Sequence, residues 1–133
     1  MVLDTSAVLA LLFNEPEADD LEVAIDADPV RLMSAASFLE TAIVVEAKLG
    51  PAGGRELDLL VHKCGVEFVA VTAEQAELAR DGWRRFGRGR HTARLNFGDC
   101  FAYALSVTSG EPLLFKGEDF KRTDVARVTL GTC

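Results

Sequence analysis

Short apolar runs alternating with helix-forming stretches limit this chain to an α/β architecture. Val2-Leu3 ends at Asp4 and passes through Thr5-Ser6 into the uncharged stretch Ala7 to Phe13, a brief strand followed by a largely buried helix. Pro16 opens a second helix with Leu21 and Ile25 as its buried stripe. Val30 to Met33 reads as the second strand. Ser34 caps a helix from Ala35 to about Lys48, which Gly50-Pro51 stops. That helix is apolar nearly all round, through Phe38, Leu39, Ile43, Val44, Val45 and Leu49, which predicts deep packing. A further helix is expected from about Arg55 to Cys64, then a third strand over Val66–Val71. Thr72-Ala73-Glu74-Gln75 reads as a capping box launching a helix with Ala76, Ala79 and Trp83 at helical spacing. Asn96 to Asp99 begins a helix through Ser106, ended by Gly110 and Pro112. Leu113-Leu114-Phe115 is a fourth strand, and the alternation from Val125 to Leu130 reads as a last one. Such interleaving implies a mainly parallel sheet of four to five strands with helices on both faces.

The 133 residues suit one domain, 1–133, with enough chain to bury a core. The first apolar run is interrupted by Asp4 and lacks a basic leader, so it makes a poor signal peptide. No stretch approaches the roughly 20 apolar residues of a membrane span. Cys64, Cys100 and Cys133 are odd in number and lack metal-ligand spacing, which favours reduced thiols in a cytoplasmic protein. The net charge of −7 is unevenly spread: residues 15–28 hold seven acids and no base. Between Gly82 and Gly98 stand Arg84, Arg85, Arg88, Arg90, Arg94 and His91 with no acid. Local field, rather than the total, steers a polyanion.

Three carboxylates stand among apolar neighbours. Asp4 ends the first strand, Glu40 lies inside the apolar helix, and Asp99 occupies the first turn of the helix that continues Cys100-Phe101-Ala102. Glu118-Asp119 follows the fourth strand. Each has an ordinary explanation: Asp4 as an N-cap, Asp99 as a charge favourable to the helix dipole, Glu118 and Asp119 as loop acids. In a parallel sheet, however, strand ends and the following helix starts share one edge. Carboxylates gathered there repel one another unless a hard cation neutralises them, and Mg²⁺ or Mn²⁺ suits oxygen ligands. Thr5 and Ser6 are placed to orient Asp4 or a metal-bound water, or to cap the helix. No phosphate-cradling glycine loop follows any strand. His62 and His91 read as surface histidines, and Cys100 as a core residue.

Four stretches taken together resemble the PIN domain, and more narrowly the VapC-type toxins. They are Val2-Leu3-Asp4-Thr5-Ser6-Ala7, Ser37-Phe38-Leu39-Glu40, Leu95-Asn96-Phe97-Gly98-Asp99-Cys100, and Pro112 through Phe120. The resemblance runs over essentially the whole chain. It implies a single PIN-like α/β/α sandwich and a Mg²⁺- or Mn²⁺-dependent endoribonuclease, the toxin of a toxin–antitoxin pair inhibited by its cognate antitoxin. It also implies a homodimer or a toxin–antitoxin hetero-oligomer, with no membrane partner. By motif match Asp4, Glu40 and Asp99 become metal-site and catalytic acids. The fourth is Asp119, with Glu118 as second choice, because Gly117 stands where relatives often carry another aspartate. Arg84, Arg85, Arg88, Arg90, Arg94 and Lys116, with Lys121, become contacts for the RNA backbone. Two rival readings remain. One is a receiver-like phosphoacceptor domain, which would want an acid near Val71-Thr72. The other is a catalytically silent PIN-like binding module.

Overall fold

The computed structural model describes residues 1–131; Cys133 lies outside them. Its elements run β1 (Val2–Leu3), α1 (Thr5–Leu12), α2 (Ala18–Ala27), β2 (Leu32–Ser34), α3 (Ala35–Lys63), β3 (Glu67–Val69), α4 (Ala73–Phe86), α5 (Phe97–Ser109) and β4 (Leu113–Leu114). A turn of 3-10 helix, Asp119–Arg122, follows β4. All four strands are parallel, in the order β3-β2-β1-β4, with Val2 opposite both Leu32 and Leu113.

The strands are short, but side chains on a strand alternate between faces and so divide the core in two. Leu3, Met33 and Leu114 face α1, α2 and the second half of α3, joining Val8, Leu21, Ile25 and Leu57. Val2, Leu113 and the half-buried Leu32 face α4 and α5, joining Ala79, Leu95, Tyr103 and Leu105. The result is an α/β/α sandwich. Residue 4 follows Leu3, so the same alternation directs Asp4 toward the α5 side.

The chain builds outward from β1 to β2 to β3, then crosses back to lay β4 on the other side of β1. The direction of winding therefore reverses between β1 and β4. In open parallel sheets the crevice outside the carboxyl ends of the strands at such a reversal is where ligands bind.

Three expectations are corrected. The break at Gly50-Pro51 is a kink within one long helical stretch: Gly50 takes φ 69°, ψ −163°, and helix resumes at Pro51 rather than Arg55. Proline is preorganised for such a first helical position. Second, the first half of α3 is not deeply packed. Ser37, Thr41 and Val45 point inward, while Leu39 and Ile43 are 59% and 60% exposed. Chiefly α1 and α5 cover the inner side of this helix, and no described element covers the other. Of the three α4 residues at helical spacing, Ala79 is buried and Ala76 and Trp83 are exposed. Finally, residues 125–130 form no full strand. Arg127 makes one parallel bridge to Leu113, through Leu113 N–H to Ala126 O at 2.8 Å and Val128 N–H to Leu113 O at 2.9 Å.

The capping box of α4 is half made. Thr72 Oγ1 accepts from Gln75 N–H, whereas the Gln75 side chain donates to Ala70 O at 3.1 Å. The contact between α4 and α5 depends on Gly82, where an added Cβ would stand 2.6 Å from the Tyr103 ring. Gly82→Ala is therefore expected to destabilise the protein by about 1–3 kcal/mol through overpacking, read as a lower denaturant midpoint.

Candidate active site

At the reversal between β1 and β4, Asp4 caps α1. Its Oδ2 accepts from Ser6 N–H at 3.0 Å and from Ser6 Oγ at 2.6 Å. Ser6 Oγ in turn accepts from Lys116 N–H at 2.9 Å, which ties the ends of β1 and β4 together. Asp4 is only 4% exposed. Burial pushes its pKa up, the Ser6 bonds act in the opposite direction, and the Glu40 charge adds to the rise. The capping role expected of Asp4 is thus real, and the carboxylate is also strained by its surroundings.

Asp99 occupies the first turn of α5 in a full capping box. Asn96 Oδ1 accepts from Asp99 N–H at 2.9 Å, and Asp99 Oδ2 accepts from Asn96 N–H at 3.0 Å. Its pKa is raised to about 7. Burial is the main cause, the Asn96 bond opposes it, and Asp4, Asp119 and Glu40 add repulsion. Those three carboxylates are hence electrostatic neighbours of Asp99, although they come from β1, α3 and the turn after β4. Of the two hydroxyls that follow Asp4, that of Ser6 serves it, whereas Thr5 Oγ1 lies 3.0 Å from Glu40 Oε1 and 3.1 Å from Ser37 O.

Asp119 is exposed and starts the 3-10 turn, free to face the other acids. Glu118 pairs with Lys121 at 3.0 Å. That pairing favours Asp119 over Glu118 as the fourth member.

The basic residues do not behave as one group. Arg85 pairs with Asp124 at 2.8 Å and approaches Tyr103 OH and Asp81. Arg90 lies over the Trp83 ring at 4.5 Å. Lys116 pairs with Glu15 and Glu17, so part of the acidic segment neutralises it. Arg84, Arg88 and Arg94 are exposed and form no ion pair with a described residue. His91 sits in the arginine loop, its Nδ1 accepting from Ala93 N–H, and His62 is exposed near the end of α3. Cys100 is buried, as expected of a core residue, and Cys64 and Cys100 are free thiols.

The four acids offer only carboxylate oxygens, and the charges acting most strongly on Asp99 are all negative. That donor set fits a hard divalent cation. Among the described residues no three acid, histidine or cysteine side chains converge closely enough to hold an ion unaided. Water would complete the shell, as Mg²⁺ prefers.

A parallel α/β/α sandwich with acids at this edge is the arrangement of the PIN domain, and the family model for that domain matches residues 1–126. The chain belongs to the PIN-domain family. It is 58% identical over 130 residues to Ribonuclease VapC30 of Mycobacterium tuberculosis, covering 98% of this chain and 99% of that protein. To Ribonuclease VapC of Mycolicibacterium smegmatis it is 61% identical over 128 residues, covering 96% and 99%. The fold is also that of the crystal structure of Mycobacterium tuberculosis VapC20, a toxin that cleaves the sarcin–ricin loop. That match has a TM-score of 0.77 at 20% identity and covers 96% and 97% of the two chains. VapBC2 from Rickettsia felis, bound to a promoter DNA fragment, matches with a TM-score of 0.74 at 14% identity, covering 95% and 94%.

Sequence reasoning named all four acids but passed over two neighbours of Glu40, Thr41 and Gly98. The one available signal for Gly98 was a glycine in the first turn of a helix that had no turn to make there.

Proposed function

We propose that this chain is a metal-dependent endoribonuclease that works as a single PIN domain, the toxin of a toxin–antitoxin pair restrained by its cognate antitoxin. The observation that carries the reading is the repulsion among Asp4, Glu40, Asp99 and Asp119 at the β1/β4 edge, with no cation of the protein among the leading influences on Asp99. Mg²⁺ or Mn²⁺ held there would stabilise charge on the scissile phosphate and lower the pKa of a bound water. Asp4 and Asp99 would hold the ion, their helix-capping bonds fixing the carboxylates in advance. Glu40 would orient the attacking water. Asp119, at the exposed rim, would complete the shell. Arg84, Arg88 and Arg94 are the arginines best able to meet RNA phosphates, whereas Arg85 and Lys116 are already paired.

Protein partners have a natural landing place beside the acids. A depression of about 300 Å³ lined by Leu39, Ile43, Val44, Phe97 and Phe101 borders Glu40 and Gly98. Exposed apolar surface of this kind marks a protein interface. An antitoxin segment seated there would cover the site, and a homodimer would use the same exposed residues. Among the described residues no helix is long and apolar enough to cross a membrane. A cytoplasmic location is part of the same proposal. The receiver-like reading loses its lysine, since Lys116 is committed to Glu15 and Glu17, and β3 ends without an acid.

The test is incubation of purified, antitoxin-free protein with mixed RNA, with Mg²⁺ or Mn²⁺ and with EDTA. Internal cuts that appear with metal and vanish in EDTA are expected. Equal cutting in EDTA would overturn the metal dependence. No cutting by a folded, metal-binding protein across a broad RNA pool would favour the silent binding module.

A further inference from the structure

Half-buried Glu40 on α3 meets two features, one on α5 and one shared by α1 and α3. The first is Gly98, two residues into α5. A Cβ built there would collide with both carboxylate oxygens of Glu40 and stand 2.6 Å from its Cδ. The carboxylate therefore lies against the bare backbone of α5, in space that any side chain at 98 would occupy. Gly98 has no positive φ to explain the choice. The glycine leaves the room that the Glu40 carboxylate occupies.

The second feature is a pair of buried hydroxyls. Thr41 is fully buried and cannot touch RNA; its Oγ1 lies 2.7 Å from Ser37 O and 3.0 Å from Thr5 Oγ1. Thr5 Oγ1 lies 3.1 Å from Ser37 O and 3.0 Å from Glu40 Oε1. Each threonine has one proton to give, and a carbonyl oxygen has two lone pairs. Ser37 O already accepts the helical N–H of Thr41. If Thr41 donates at the shorter distance, the second lone pair of Ser37 O is taken, and the Thr5 proton has Glu40 as its acceptor. If Thr41 donates to Thr5 instead, that lone pair stays free and Thr5 can give its proton to Ser37 O as well as to Glu40. The 2.7 Å contact of Thr41 with Ser37 O, against 3.0 Å to Thr5, favours the first arrangement, which aims the Thr5 hydroxyl at Glu40.

We infer that Gly98 and Thr41 are positioning residues for Glu40: the α5 backbone at Gly98 forms one wall of a clamp, and the Thr41-directed Thr5 hydroxyl holds the carboxylate from the other side. This rests on the proposed role of Glu40 in orienting water at a metal site. Displacing the carboxylate from this contact would still leave the fold intact, because the atom that must move is the end of a flexible side chain. Loss of such a supporting partner typically costs 10–100-fold in metal affinity or activity.

The experiment compares Gly98→Ala, Thr41→Val, Thr41→Ser and Glu40→Gln with the parent protein. The readouts are kcat and KM on RNA, Mn²⁺ affinity of the RNA-free protein by water-proton relaxation, and thermal midpoint. Gly98→Ala and Thr41→Val should each lower kcat by about 10-fold or more and weaken Mn²⁺ binding, with KM and thermal midpoint little changed. Thr41→Ser, which keeps the hydroxyl, should restore both to within about twofold. Should Gly98→Ala fold poorly, the Val and Ser pair at position 41 decides the matter. Parent-like kcat and Mn²⁺ affinity in Gly98→Ala and Thr41→Val, beside an inactive Glu40→Gln, would overturn the clamp and leave the nuclease reading standing. Parent-like cleavage by Glu40→Gln would overturn the role of Glu40, and the clamp with it.

Discussion

Replacing Asp99 with asparagine should stabilise the metal-free protein and at the same time abolish most of its cleavage. The two effects have one cause. Asp99 is held beside Asp4, Glu40 and Asp119 in a partly buried position, and its pKa of about 7 records the cost of its charge there. Asparagine keeps an oxygen able to accept from Asn96 N–H, so the α5 capping box survives while the charge disappears. At pH 8 the gain should be about 1–2 kcal/mol, less than the pKa shift alone suggests because the group is partly exposed and screened. Cleavage should fall by more than ~100-fold, since losing a direct ligand costs more than losing its supporting partner. Thermal melts in EDTA and initial rates in Mg²⁺ would measure both. Loss of activity together with a lower melting point would mean that Asp99 is chiefly a structural cap.

The same group makes stability and metal binding depend on pH in opposite directions. Between the ordinary carboxylate value, near 3.8, and about 7, the native protein binds more protons at Asp99 than the unfolded chain does. The contribution of this group to metal-free stability should thus fall as pH rises from about 4 to 7 and level off above. Asp4, also raised by burial, acts in the same sense. A bound divalent cation requires the carboxylates ionised, so affinity should climb over that interval and plateau above about 7. At 100 times its dissociation constant the ion should add about 2.7 kcal/mol of stability. Melts at pH 5.5 and 8, with and without Mn²⁺, should show the metal-induced rise growing with pH. A rise that is the same at both values would remove these acids from the binding site.

How much of this was legible in the sequence differs from residue to residue. Asp4, Glu40 and Asp99 could be singled out because a carboxylate among apolar residues is costly without a partner. Asp119 could be placed only as one of two adjacent acids, because the Glu118–Lys121 pairing that separates them is a product of the 3-10 turn. The helix over 35–48 was sound as a helix but misjudged as buried. Apolar periodicity reports how much of a surface is hydrophobic, not whether another element arrives to cover it. The arginine stretch likewise looked uniform in sequence; the fold assigned Arg85 to Asp124 and Arg90 to the face of Trp83.

By itself the sequence determined the interleaved strands and helices, hence the parallel sheet, and singled out Asp4, Glu40 and Asp99, because these depend on local periodicity, capping and burial cost. Only the tertiary structure decided that the winding reverses between β1 and β4, bringing carboxylates 4, 40, 99 and 119 within electrostatic reach of one another. It alone set Glu40 against Gly98 and brought the Thr5 hydroxyl to Glu40. Those relations join residues far apart in the chain, and their energies depend on distances that no local pattern encodes.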